Sequence, residues 1–128
     1  MLYKPGICNI GKNEIRKRYA LGASGFILTA ILFYLLYIYN FPTLWFVVLV
    51  FPMYLGFEGL YQGYFHFCAG FGMSGRYDFR GTRNEQGRVK NKKQHMQDLV
   101  RSMWIHVYSV WSAVFVTIVI VFLQVIFF

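Results

Sequence analysis

Three long apolar runs, residues 19–38, 44–67 and 103–128, are separated by short polar stretches, and none contains a lysine or an arginine. At a rise of about 1.5 Å per residue, each run is long enough to cross a hydrocarbon core of about 30 Å. The pattern predicts an all-α membrane protein with three transmembrane helices. Helical structure is expected to begin near Asn13, a residue type suited to N-capping, and to feed the first span. Within that span Gly22, Gly25 and Thr29 recur at spacings of three and four residues, so they share a face on which another helix can approach closely. The hairpin at residues 39–43 is short enough to make the first two spans antiparallel neighbours.

The second run carries unusual content for a span. Gly56, Gly59, Gly63 and Gly70 fall on one side of a continuing helix, with Glu58, Gln62 and His66 beside them at i, i+4 and i+8. Such a small, polar face belongs against protein, because a carboxylate facing lipid at depth costs on the order of 3 kcal/mol. Pro52 predicts a kink in the same helix. Glycines and Ser74 end it, residues 80–93 read as a basic loop, and the last helix is expected to start near Lys92 or Gln94. Ser102, His106, Ser109 and Ser112 form its polar stripe, whereas beyond Ala113 it is almost uniformly aliphatic and aromatic. The resulting organisation is a basic N-terminal segment (1–18), a helical hairpin (19–72), a basic loop (73–101) and a third span (102–128). No soluble domain is expected, since the longest polar segment, about 30 residues, is below the roughly 40 that a soluble core requires.

Charge orients this scheme. All 13 lysines and arginines fall within residues 4–18 and 76–101, which predicts that both clusters are cytoplasmic, with the N-terminus inside and the C-terminus outside. The first run is too long for the apolar core of a cleavable signal, so it is expected to be a retained helix. A net charge of +8 is then explained by topology, and nucleic acid is not an expected partner. Arg16, Lys17, Arg18, Arg76, Arg80, Arg88, Lys92 and Lys93 form a rim for anionic membrane lipids, at about 1 kcal/mol per charge, or for an acidic partner. Tyr34, Tyr37, Tyr39, Phe41 and Trp45 read as an outer aromatic belt, and Tyr61, Tyr64, Tyr77, Trp104 and Tyr108 as an inner one.

Candidate chemistry is sparse. Cys8, His66, Cys68 and His106 map to similar depth near the cytoplasmic interface, and with His95 they offer the ligand types for zinc or iron, or for a haem between His66 and His106. No compact ligand spacing supports this, so no metal or cofactor is expected, and both cysteines are expected to be thiols. Glu58 is the one acid within a span. It is expected either to hydrogen-bond to Tyr, Ser or His of a neighbouring helix, to serve as a proton or cation site, or to pair with an arginine of another subunit. No phosphate-cradling loop, serine triad or carboxylate pair gives an enzyme a visible centre.

Two local patterns, Cys8-Asn9-Ile10-Gly11 with Glu14, Arg18 and Gly22, and Cys68 with Phe71 and Gly75, resemble the opening and closing motifs of the YgaP-like small inner-membrane domains. The likeness covers residues 8–75, with Ile15 and Ala69 standing where that family has arginine and proline. It implies a helical hairpin in the bacterial inner membrane, to which this chain adds a third helix. It also implies sulfur-related chemistry in some members. The leading expectation is a small non-catalytic accessory or scaffolding subunit that packs through its glycine-polar face against a larger membrane complex or copies of itself. The alternatives are a homo-oligomeric transporter or channel using Glu58, and thiol, sulfur or metal handling through Cys8 and Cys68.

Overall fold

The computed structural model describes residues 3–81 and 86–127. Helix α1 spans Lys12–Ile38, a 3-10 segment at Thr43–Leu49 runs into α2 at Val50–Tyr64, and a short α3 covers Ala69–Ser74. Strands β1 (Arg76–Asp78) and β2 (Gln86–Arg88) follow, and α4 occupies Lys92–Phe127. Three helices are long and apolar enough to cross a membrane: Lys12–Ile38, Thr43–Tyr64 and Lys92–Phe127. The middle span packs on both others and is the most buried; α4 is the least.

Glycine spacing explains the tightest contact. A Cβ on Gly25 would stand 2.8 Å from the Gly56 Cα and the Pro52 carbonyl, and one on Gly59 would stand 2.7 Å from the Gly22 Cα. The backbones of α1 and α2 therefore meet directly, which only residues without a side chain permit. Gly63 is likewise covered, by the Tyr19 ring. Gly70 does not share this ridge: it sits in α3, and the nearest atom to a Cβ there is the Cys68 sulfur at 3.8 Å. Toward the hairpin end, Leu36, Phe46 and Leu49 form a buried cluster against Leu32, Phe33, Ile120 and Val121.

Pro52 acts on the middle span as a change of helix type. Its ring has no N–H and crowds the carbonyl four residues back, and the chain is a 3-10 helix up to Leu49 before continuing as α-helix from Val50. The span also ends earlier than the apolar run. His66 takes φ 53°, a left-handed conformation costly for a residue with a Cβ, and Cys68 is extended before α3 begins. Gly75, at φ 73°, closes α3 in the left-handed conformation that glycine adopts without strain.

Three expectations are corrected at the basic end. Asn13 lies inside α1, not at its cap; Gly11 is the cap, and the Asn13 amide donates to the Arg80 carbonyl. The stretch read as a loop contains an antiparallel pair of strands, with Tyr77 opposite Gly87, so the fold is not purely helical. The N-terminal segment is not a free tail. It packs beside β1 through a parallel bridge from Ile10 to Asp78, and Tyr3 stacks on Tyr77, which places that tyrosine in a polar cap instead of a lipid-facing belt. Helix α4 starts at Lys92 as expected, capped by the Asn91 side chain, which accepts from the amides of Lys93 at 2.9 Å and Gln94 at 3.3 Å.

Candidate functional site

A chain of buried polar groups runs from inside the helix bundle to the basic cap. Glu58 on α2 is 6% exposed. Its Oε1 lies 2.8 Å from Nδ1 of His106 on α4 and accepts from the Gln62 amide at 2.9 Å. The Tyr54 hydroxyl lies 3.1 Å from the same His106 nitrogen. One proton between carboxylate and imidazole satisfies the short contact from either side. The second carboxylate oxygen, Oε2, is buried with no hydrogen-bond partner among the described residues. Gln62 carries the chain onward: its Oε1 accepts from the Ala69 amide at 3.2 Å, tying α2 to the start of α3.

The α4 polar stripe matches this face. His106 meets Glu58, Ser112 meets the Tyr61 hydroxyl at 2.5 Å, and the buried Ser102 and Ser109 donate back to carbonyls of their own helix. Glycine ridge and polar stripes are thus largely covered by helices of the same chain. The reason is that α1 and α4 both pack on α2.

Asn9, fully buried, organises the cap. Its side-chain oxygen accepts from the Cys68 amide at 2.7 Å and its side-chain nitrogen donates to the Cys68 carbonyl at 3.1 Å. Its own amide donates to the His66 carbonyl at 3.3 Å, and its carbonyl accepts from the Asp78 amide at 2.9 Å. The break between α2 and α3 would otherwise leave buried backbone groups unpaired. Asp98, also fully buried, accepts from the Tyr3 hydroxyl and, at 2.7 Å, from the Gly6 amide. Burial and this carboxylate raise the Tyr3 phenol well above its ordinary range. Asp78 is held by Arg80 through contacts of 2.6 to 3.0 Å, which lowers its carboxyl from the ordinary value. Glu14, buried in the first turn of α1, pairs with Lys17 at 3.1 Å and Arg18 at 3.2 Å.

An open cavity of about 580 Å³ lies between the N-terminal segment, the first turns of α1 and the Phe65-His66 turn. Ile7, Ile15, Phe65 and Phe79 make its apolar wall, and Lys4, Lys12, Arg16 and His66 bring polar and cationic groups to it. Cys8 also lines it, half-buried, with its thiol pushed up by burial. A second cavity, about 520 Å³, is an apolar groove between the 3-10 segment and α4, lined by Val47, Val114, Ile118 and Val121 among others.

The sequence-predicted residues thus separate. Gly22, Gly25, Gly56, Gly59, Gly63, Glu58 and Gln62 do lie where helices meet, but His66 has left that face for the surface of the cap. Both cysteines are unpaired. Cys68 is buried, His95 reaches the Met73 carbonyl at 3.1 Å, and His106 is committed to Glu58. No three His, Cys, Asp or Glu side chains among the described residues are grouped as a metal ion would require. The rim cations Arg16, Lys17, Arg76, Arg80, Arg88, Lys92 and Lys93 are exposed, while Arg18 is half-buried. Asn9, Asp78, Asp98, Tyr3 and Tyr54 were not legible as site residues, although acids inside an otherwise basic segment are a signal that could have found Asp78 and Asp98. Comparison with protein-family models, with curated proteins and with solved structures finds no match to this chain.

Proposed function

We propose that this chain is a small integral membrane subunit without catalysis of its own, with a self-contained helical stem and a basic cap that meets a larger membrane complex or another copy. What carries the reading is the internal use of the glycine-polar face. With that face closed, the differentiated surface that remains is the cap, with its exposed cations and its cavity beside the membrane. The confinement of lysine and arginine to this end supports a cytoplasmic cap, and the resemblance in residues 8–75 supports the bacterial inner membrane. Chemical cross-linking in the native membrane, followed by native mass spectrometry, tests the proposal. Cross-links from Lys92 and Lys93 to a partner subunit are the expected result, and recovery as a lone monomer under gentle solubilisation overturns it.

A second reading rests on a different observation, the unpartnered Oε2 of Glu58 beside an imidazole that is itself partly exposed. An ionisable pair at this depth suits a proton or cation site in an oligomeric pathway. Proteoliposome flux lost in Glu58→Gln, a substitution that keeps an acceptor for His106, supports this alternative. Equal flux in wild type and variant removes it.

A further inference from the structure

We infer that the cavity beside Cys8 is a binding site for one anionic phospholipid of the adjoining leaflet. The site combines two features that a phospholipid needs together. Lys4 and Arg16 place cationic groups around it, and Ile7, Ile15 and Phe65 form an apolar wall. Its size, about 580 Å³, lies within the roughly 300–1,000 Å³ of ligand pockets. Arg16 precedes the apolar run of α1 by three residues, which by helical rise puts it about 5 Å from the hydrocarbon boundary. That is headgroup depth.

Charge complementarity selects the anionic class. Every acid among the described residues is committed elsewhere: Glu14 to Lys17 and Arg18, Glu58 to His106, Asp78 to Arg80, and Asp98 to Tyr3 and Gly6. None of them forms an ion pair with Lys4 or Arg16. Lys4 and Arg16 therefore keep their charge for a ligand, and the apolar wall beside them is exposed at Ile7 and half-buried at Ile15. A free phosphate would use the cations and leave this wall wet. The lipid phosphate takes the cations while its glycerol and upper acyl segment cover the wall. This inference stands whether or not the protein proves to be an accessory subunit.

Cys8 provides a native reporter, since it lines the cavity while Cys68 is buried. The full chain is reconstituted in nanodiscs of phosphatidylcholine with increasing phosphatidylglycerol, and alkylation of Cys8 by the uncharged reagent N-ethylmaleimide is followed. Phosphatidylglycerol slows alkylation, and the double variant Lys4→Gln/Arg16→Gln weakens this protection about 25-fold, at about fivefold per cation. The charge-preserving double variant Lys4→Arg/Arg16→Lys retains it, which separates loss of charge from loss of fold. Lys92→Gln/Lys93→Gln also retains it. The inference is overturned if phosphatidylglycerol gives no protection, if the Lys92/Lys93 variant loses as much as the Lys4/Arg16 one, or if inorganic phosphate in pure phosphatidylcholine protects equally well.

Discussion

The Asn9 side chain and backbone amide serve one break in the chain, the turn between α2 and α3, while its carbonyl holds β1 through the Asp78 amide. Truncation to alanine strips the Cys68 amide and carbonyl of their partners in a buried site, at about 1–3 kcal/mol for each group left unsatisfied. Asn9→Ala should therefore lower the unfolding midpoint in detergent by several degrees; an unchanged midpoint would mean that water fills the gap without cost. Three glycines have comparable structural roles. Gly11 abuts the Phe79 backbone at a notional Cβ distance of 2.7 Å, Gly22 meets α2, and Gly75 takes the left-handed turn. Titration belongs at this scale too. Because Arg80 lowers the Asp78 carboxyl in the folded state from its ordinary 3.8, its contribution is complete above about pH 4 and is lost as pH falls toward the lowered value. Tyr3 has the opposite sign: its raised phenol stabilises below its ordinary value of 10.0 and the contribution is lost as pH rises beyond it. Amide exchange in residues 3–11 should thus accelerate at both extremes, and Tyr3→Phe should abolish the Tyr3 contribution to the alkaline limb.

For elements, the separation of α1 and α2 is decided by glycine. Gly25→Val puts a branched side chain into the Gly56 backbone, and the helices must move apart. A loss of about 1–3 kcal/mol is expected from such overpacking. Gly70→Ala adds a methyl where the nearest neighbour is at ordinary contact distance, and should change stability by less than about 0.5 kcal/mol. Steric-trap or thermal unfolding of the two variants distinguishes them, and equal effects would contradict the assigned interface. The spacing of these glycines was visible along the chain, and so was the start of α4. The end of α2 was not. An apolar run continuing to Phe67 reads as helix until a side chain from Asn9, far away in sequence, makes the break affordable.

On the scale of the molecule, both basic clusters gather at one end of the bundle, joined by the Ile10–Asp78 bridge and by the contacts of Tyr3 and Gly6 with Asp98. On the proposed topology, three crossings from that end bring the C-terminus to the other face. A reporter fused after Phe128 that is active only outside the cytoplasm should therefore be active, while the same reporter in the basic loop should be silent. The reverse result would invert the proposed orientation. The outer half of α4 stays broadly exposed, with Phe115, Ile118, Phe122 and Val125 facing outward, as lipid contact requires.

Spans, their order and the shared side of the basic clusters follow from the sequence alone, because hydrocarbon thickness and the charge bias act on residue type and run length with no need for a partner. The family of polar contacts is different in kind. That Glu58 meets His106, that Ser112 meets Tyr61, and that Asn9 and Asp98 fasten the N-terminal segment into a cap depend on which faces α1, α2 and α4 turn toward one another. Those choices are made by backbone approach at the glycines and by the need to pair every buried polar group, and both conditions can be met only once the whole chain has packed.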